Sequence, residues 1–166
     1  MSIVTDIPVG DAVISMRRIF EAPRPLVWKM MTEAQHVARW WGGPGYTNPV
    51  CEMDVRPGGL WHHVMRFPDG HELEMNFVFV EVDAPRRLVW RHSDQGAHEG
   101  GPPVSVTTVK LEDLDGRTGW EMVARFQSIA ARDIAVGMGF TKPIAASTDR
   151  LSQYLKNLQP GSVVHA

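Results

Sequence analysis

The feature that most constrains the fold is a succession of short alternating segments between residues 49 and 126. In the segment ELEMNFVF at 72–79, acidic and amide residues alternate with leucine, methionine and phenylalanine. A period of two is typical of β-strands that bury one face. Turn-forming pairs such as Asp69-Gly70 and Asp115-Gly116 separate the segments. We therefore expect about six consecutive antiparallel strands.

The segments that flank these strands include helices. VISMRRIF at 13–20 is predicted as a first strand, followed by two short helices, and Pro25 suits the first turn of the first one. Ser128 is expected to cap another short helix, and the apolar spacing over 144–158 indicates a long amphipathic helix. The order predicts an α+β domain in which about six or seven antiparallel strands pack against this final helix.

The domain is predicted to occupy residues 13–158 of the 166 in the chain. Residues 1–12 are interpreted as an N-terminal tail or edge extension, and residues 159–166 as a C-terminal tail. The segment 94–103, DQGAHEGGPP, reads as a Gly-rich loop between two strands.

Composition excludes several classes of protein. The net charge is -2 without a basic block, so we expect no nucleic-acid partner. No apolar run approaches the roughly 20 residues of a membrane helix, and the N-terminus does not resemble a secretory signal. We therefore expect no membrane association and a cytoplasmic location. The single Cys51 allows no internal disulfide and no cysteine-based zinc site.

Charged residues on one side of each strand assign the opposite side to the interior. The predicted inner face is rich in aromatic and methionine side chains and includes His63 and His92. One interpretation is a closed core with a few satisfied polar groups. The other is an apolar cavity with placed polar groups, the usual composition of a small-ligand site.

The seven histidines do not predict a metal site. His62 and His63 are adjacent on a strand and point to opposite faces, and no His-Glu-x-x-His spacing occurs. We expect neither a metal nor another cofactor. His63 and His92 are better candidates, for acid–base catalysis, and the alternative is that each is hydrogen-bonded for structure alone.

Five short motifs, in order, resemble a known family. They are Ala22-Pro23 with Val27-Trp28, Trp40-Trp41-Gly42, Arg56-Pro57-Gly58-Gly59, Pro85 with Arg87-Leu88-Val89, and Asp149-Arg150-Leu151 with Tyr154-Leu155. Over about residues 13–158 the chain resembles the heat-shock protein 90 ATPase activator-like group of the START-like (Bet v-like, SRPBCC) superfamily. The resemblance implies a helix-grip fold, in which a curved sheet wraps around the long C-terminal helix and leaves a cavity. It also implies that Trp40 or Trp41 forms part of the cavity wall or plugs the core end, with Trp41 the favoured wall residue.

We therefore expect the chain to bind a small hydrophobic, ring-containing ligand and favour binding over catalysis. An alternative is an enzyme of the polyketide cyclase or hydrolase kind, which would use a pocket histidine as acid or base. A second alternative is a stress-response chaperone cofactor, and we do not favour a chaperone partner. The predicted ligand-binding residues are Trp41, Trp61, His63, Met65, Met75, Phe77, Trp90, His92, Met122, Phe126, Met138, Phe140, Ser147 and Leu151.

A homodimer is also consistent with the pattern. Several apolar residues are predicted on the outer face of the sheet, and exposed apolar patches are often interfaces. They are Leu60, Val64, Val89, Val104 and Val106.

Overall fold

The computed structural model describes residues 3–93 and 104–159, so the predicted loop at 94–103 and most of the predicted C-terminal tail lie outside the described residues. The fold is one curved antiparallel sheet with four helices, which confirms the predicted α+β class. Its eight strands lie in the order β1-β2-β8-β7-β6-β5-β4-β3. The strands are β1 (Val4–Asp6), β2 (Val13–Phe20), β3 (Thr47–Met53), β4 (Leu60–Arg66), β5 (Glu72–Asp83), β6 (Arg87–His92), β7 (Val106–Asp113) and β8 (Thr118–Arg125).

The strand count is slightly higher than the predicted six or seven. The additional strand is β1, which pairs antiparallel with β2 at the edge of the sheet through Val4 opposite Arg17. Its three residues are all exposed, so no alternation of burial could mark it in the sequence.

Alternation correctly predicted which residues face the interior. Trp61, His63 and Met65 of β4 are buried, while Leu60 on the same strand is 63% exposed. In β7, Thr107 and Val109 are buried. The charged residues at the end of that strand therefore define its register even though its first half carries no charge.

The helices are α1 (Arg24–Thr32), α2 (Ala34–Trp40), α3 (Ile129–Gly137) and α4 (Thr141–Leu158). Pro25 lies in the first turn of α1, where its missing N–H removes no helical hydrogen bond. Ser128 caps α3, since its Oγ accepts from the Ala131 N–H at 3.0 Å.

Helix α4 is attached to the sheet by apolar packing and by one buried arginine. Leu151 and Leu155 are buried in the hydrophobic core. The Arg18 guanidinium of β2 donates to Thr148 Oγ1 at 3.1 Å and to Asp149 Oδ1 at 2.8 Å. Because Arg18 itself is only 7% exposed, this contact orients α4 across the inner face near β2.

A second buried arginine holds the N-terminal segment. Arg132 of α3 is 4% exposed, and its Nη1 donates to the backbone carbonyls of Pro8 and Asp11. The residues before β2 therefore pack against the domain. No helix within 3–93 and 104–159 is long and apolar enough to cross a membrane.

The apolar patch on the outer face is smaller than predicted. Leu60 and Val106 are exposed, but Val89 is only 6% exposed. Arg87 and Arg91 lie two residues away on the same side of β6, where long side chains can cover an apolar neighbour. The prediction that Val89 forms part of an exposed surface is therefore wrong.

Candidate functional site

The two adjacent tryptophans occupy different environments. Trp40 ends α2, is 3% exposed, and donates from Nε1 to the Met30 carbonyl of α1 at 3.0 Å. Trp41 is half-buried over the inner face of the sheet. Its ring centroid lies 5.2 Å from those of both Trp61 and His63. Trp40 therefore fills the core between the helices, whereas Trp41 covers the candidate site.

Helix α4 holds the turn that positions Trp41. The Gly42 N–H donates to Ser147 Oγ at 2.7 Å. The Arg150 guanidinium donates to the Arg39 carbonyl at 2.9 Å and to the Gly43 carbonyl at 3.0 Å. These carbonyls lie at and just after the end of α2, where a helix leaves acceptors without internal partners. Arg150 therefore joins the end of α2 to α4.

Glycine is required at position 42. Its φ is +86°, and a Cβ there would lie 2.7 Å from Tyr46 Cβ and 3.2 Å from Met65 Sδ. An L side chain would be strained by both the conformation and the contact. The close approach of this turn to Met65 brings Trp41 onto the sheet.

His63 lies at the centre of a closed hydrogen-bond chain. Trp61 Nε1 donates to His63 Nδ1 at 3.2 Å, and His63 Nε2 lies 2.7 Å from Asn48 Oδ1. The Asn48 amide in turn donates to the carbonyls of Ala38 and Trp41 at 2.9 and 3.0 Å. Because the indole N–H can only donate, Nδ1 accepts and Nε2 carries the proton. Both ring nitrogens of His63 are therefore used within the protein.

Burial keeps His63 neutral. Loss of solvent, with a smaller effect from the neighbouring His62, lowers the pKa of His63 to about 4. The ring is neutral, its Nδ1 accepts from Trp61 and its Nε2–H donates to Asn48, so neither nitrogen is available to a ligand. The hydrogen bonds therefore favour the structural interpretation of this histidine.

His92 has a more open environment at the end of β6. It is half-buried, and its ring centroid lies 5.1 Å from that of Phe77. The Ser105 N–H donates to Nδ1 at 3.1 Å, and the Ser105 carbonyl lies 3.3 Å from the same nitrogen. The two contacts favour opposite tautomers, because the amide N–H can only donate and the carbonyl can only accept. The shorter contact, from the amide at 3.1 Å, places the proton on Nε2.

The free nitrogen of His92 distinguishes it from His63. No residue in 3–93 or 104–159 makes a hydrogen bond to His92 Nε2. Burial lowers the pKa of His92, and the Ser105 carbonyl beside Nδ1 opposes this effect because it would accept a hydrogen bond from the protonated ring. The result is a neutral ring that presents an N–H donor beside apolar side chains.

The other predicted wall residues pack mainly against one another. The ring centroid of Trp61 lies 4.8 Å from that of Phe77 and 5.3 Å from that of Trp90. The remaining buried members of the predicted set are Met65, Met122, Phe126, Ser147 and Leu151. Together with Trp61, Phe77 and Trp90, these side chains fill the centre of the interior.

The half-buried members lie toward one end of the sheet. Register places Phe77 opposite His92, and Ser105, which bonds to His92, immediately precedes β7. Phe140, half-buried, packs its ring 5.5 Å from that of Phe126, just after β8. Met75 is also half-buried. Apolar side chains at this end therefore remain partly accessible.

Met138 does not join this set. It was predicted to close the helix side of the site, but it is 54% exposed. Helix α3 ends at Gly137, and Gly139 turns the chain with a φ of +83°. The turn directs Phe140, not Met138, toward the sheet.

Two other candidate chemistries find no support in the site. Cys51 is half-buried, and burial raises its pKa to about 11, so its thiol is not activated. No cluster of three or more histidine, cysteine or acidic residues suited to a metal occurs in the described part of the chain. His98 lies outside that part.

Two residues important to this geometry were not predicted as site residues. Arg150 belongs to the Asp149-Arg150-Leu151 motif, but the motif alone did not predict any contact or function for the arginine. Asn48 gave no signal, because β3 has an irregularity between Thr47 and Val50 that interrupts the alternation.

Comparison with known proteins agrees with this architecture. Residues 21–156 match the family model described as "Activator of Hsp90 ATPase homolog 1-like protein". No curated protein matches the sequence. Three similar solved structures show the same fold.

One, from Arthrobacter aurescens, has a TM-score of 0.84 and 24% identity, covering 98% of this chain and 95% of its own. A protein from Mycobacterium smegmatis has a TM-score of 0.82 and 21% identity, covering 92% and 95%. A third, from Nitrosomonas europaea, has a TM-score of 0.80 and 24% identity, covering 90% and 97%. The helix-grip fold implied by the five motifs is confirmed, and the chain belongs to the Activator of Hsp90 ATPase homolog 1-like family.

Proposed function

We propose that this protein binds a small, ring-containing hydrophobic molecule between the inner face of the sheet and α4. Members of its family commonly bind hydrophobic ligands. The observation that carries the proposal is the environment of His92, where a neutral ring offers an N–H donor within an apolar wall. Placed polar groups of this kind orient ligands in apolar sites.

The ligand is expected to carry a hydrogen-bond acceptor, such as a carbonyl or hydroxyl oxygen. His92 Nε2–H would donate to this oxygen, while Phe77, Met75 and Phe140 would contact the apolar body. Trp41 is the residue best placed to cover it, because it is half-buried and the turn that follows it is held by Ser147 and Arg150.

A matched pair of neutral probes tests this arrangement. 2-Acetonaphthone and 2-ethylnaphthalene have similar size and shape, but only the ketone accepts a hydrogen bond. We expect quenching of tryptophan fluorescence by both and tighter binding of the ketone. One hydrogen bond corresponds to a preference of about three- to tenfold.

His92→Phe keeps a ring of similar size and removes the donor. It should abolish the preference for the ketone while leaving the binding of 2-ethylnaphthalene nearly unchanged. His62→Phe, on the opposite face of the sheet, is the matched control and should retain the preference. Binding of neither probe, or a preference unchanged in His92→Phe, would contradict the proposal. Conversion of the ketone that depends on His92 would instead support the alternative of a cyclase- or hydrolase-like enzyme.

A further inference from the structure

A buried hydroxyl on the inner face of the sheet has no partner in the described part of the chain. Thr107 of β7 is 6% exposed, and its Oγ1 makes no hydrogen bond with any residue in 3–93 or 104–159. Two other buried threonines are both paired. Thr118 Oγ1 donates to a backbone carbonyl at 2.7 Å, and Thr148 Oγ1 donates to another at 3.0 Å.

An unpaired hydroxyl is unfavourable in the interior of a protein. Buried polar groups are almost always hydrogen-bonded, because they lose their bonds to water when they are buried. The Thr107 oxygen is not among the polar atoms that are fully enclosed, so a small molecule can contact it. Thr107 therefore has a hydrogen-bonding capacity that the protein itself does not use.

The sheet register places this hydroxyl beside the interior site. Thr107 lies opposite Trp90 of β6 on one side and opposite Ala124 of β8 on the other. His92 follows Trp90 by two residues on the same face, so it is a diagonal neighbour of Thr107, and such neighbours lie about 7–8 Å apart. The small Ala124 side chain does not shield the hydroxyl as a large residue would.

We propose that Thr107 is a specificity-determining residue of the interior site and selects ring compounds that carry a hydroxyl in addition to the acceptor bound by His92. This role of Thr107 rests on the function proposed above. The acceptor would lie at His92 Nε2, and the ring would extend toward Trp90, with its hydroxyl at Thr107 Oγ1.

The chemistry of Thr107 favours a neutral hydroxyl over other substituents. A hydroxyl can both donate and accept, so it can pair with the threonine oxygen in either direction. An apolar substituent would leave Thr107 without a partner. A charged substituent would lose its water beside two uncharged side chains, His92 and Thr107, among aromatic rings.

Two derivatives of 2-acetonaphthone that differ in one group test this selectivity. In 6-hydroxy-2-acetonaphthone the hydroxyl lies on the ring away from the ketone, and in 6-methyl-2-acetonaphthone a methyl group of similar size replaces it. Quenching of tryptophan fluorescence is measured at about pH 6.5, where a phenol, with a pKa of about 10, is neutral. We expect the hydroxyl compound to bind about three- to tenfold more tightly than the methyl compound.

Three variants assign the preference to one side chain. Thr107→Val keeps the shape but replaces the hydroxyl with a methyl group, so the preference for the hydroxyl compound should disappear. Thr107→Ser keeps a hydroxyl and should retain it. Thr108→Val is the matched control, because Thr108 is the next residue of β7, half-buried, and points to the opposite face of the sheet.

A measurement without ligand separates this role from a structural one. Because the Thr107 hydroxyl has no partner to lose, Thr107→Val should leave the midpoint of urea unfolding unchanged or raise it. Thr118→Val, which removes a bond to a backbone carbonyl, should lower the midpoint. A midpoint lowered as much by Thr107→Val as by Thr118→Val would contradict the proposal.

The binding results distinguish an error about Thr107 from an error about the interior site. If 2-acetonaphthone itself does not bind, both proposals are wrong. If it binds with a preference that depends on His92, but the hydroxyl compound binds no more tightly than the methyl compound, only the role of Thr107 is wrong. A preference for the hydroxyl compound that survives in Thr107→Val would also overturn that role.

Discussion

His63 and His92 lie on the same face of the same sheet, but they differ in burial and in the number of ring nitrogens that are hydrogen-bonded within the protein. His63 on β4 has both ring nitrogens engaged, by Trp61 and Asn48, and is fully buried. His92 at the end of β6 uses one nitrogen and remains half-buried. The first holds the turn around Trp41 in place through Asn48, and the second leaves one ring nitrogen without a partner among residues 3–93 and 104–159. Both side chains point to the same side of the sheet, so this orientation does not distinguish them. The number of ring nitrogens without a partner in the protein distinguishes a structural histidine from a candidate ligand-binding one.

The strongest test of this contrast is His63→Ala. The substitution would leave a cavity and deprive both the Trp61 indole and the Asn48 side chain of a partner. We expect the free energy of unfolding to fall by about 3–5 kcal/mol, measured by urea denaturation. His62→Ala is the control, since that half-buried ring makes only surface ion pairs with Glu52 and Glu74. A loss below about 1 kcal/mol in His63→Ala would remove the distinction between the two histidines.

The pH dependence of stability sharpens the same contrast. His63 has an ordinary pKa of 6.5 in the unfolded chain and a pKa of about 4 in the folded protein. As pH falls below 6.5 the unfolded state takes up a proton that the folded state refuses, so stability decreases until about pH 4. The full loss from this group is roughly 3 kcal/mol.

We expect His63→Gln to flatten the stability profile between pH 6.5 and pH 4 relative to the unmodified protein, as measured by urea unfolding at each pH. The difference between the two proteins isolates His63 from carboxylates that titrate in the same range. The pKa of His92 is lowered in the same direction, but His92 is half-buried whereas His63 is fully buried. We therefore expect His92→Gln to change the stability profile less than His63→Gln does. Identical profiles for His63→Gln and the unmodified protein would contradict the assignment of a neutral, buried His63.

Arg150→Met tests whether the turn around Trp41 depends on α4. The substitution keeps an apolar stem but leaves carbonyls at the end of α2 without their donor. We expect a loss of about 2 kcal/mol in the free energy of unfolding and a red shift of tryptophan emission as Trp41 becomes more exposed. Arg150→Lys should restore little, because one ammonium group cannot reach several carbonyls in the way that a guanidinium does. Lys156→Met, also on α4, is the control and should change neither measurement.

The smallest expected effect on stability is that of His92→Phe. The ring would still pack near Phe77, and only the bond from the Ser105 N–H would be lost. We expect a change in the free energy of unfolding of about 1 kcal/mol or less, measured by urea denaturation alongside His63→Phe. A loss in His92→Phe as large as that in His63→Phe would show that His92 is structural as well.

The fold could be predicted from the sequence because the patterns that define its strands and helices each lie within a short segment. Alternation defined the strands and their inner faces, Ser128 marked the start of α3, and apolar spacing marked α4. The misplaced Val89 shows the limit, since an outward residue on a strand can still be covered by its neighbours. The short strand β1 was missed as a separate strand because three exposed residues contain no pattern.

The site was less predictable, because its chemistry depends on partners far apart in the chain. His63 and His92 were indistinguishable as inward histidines. Their difference comes from Asn48, which lies beside an irregularity in β3, and from the backbone of Ser105. The misassigned Met138 depended on how the chain turns between α3 and α4. Such long-range pairings leave no periodic trace.

The contacts of Arg132 bear on where the domain can be cut. The family match begins at residue 21, but Arg132 donates to carbonyls at Pro8 and Asp11 and is almost completely buried. A fragment trimmed to the matched region would lose β1 and β2, the two strands at one end of the sheet, and leave a buried guanidinium without two of its acceptors. The smallest unit that keeps this arginine satisfied must therefore begin upstream of Pro8, well before the region that resemblance to other proteins would delimit.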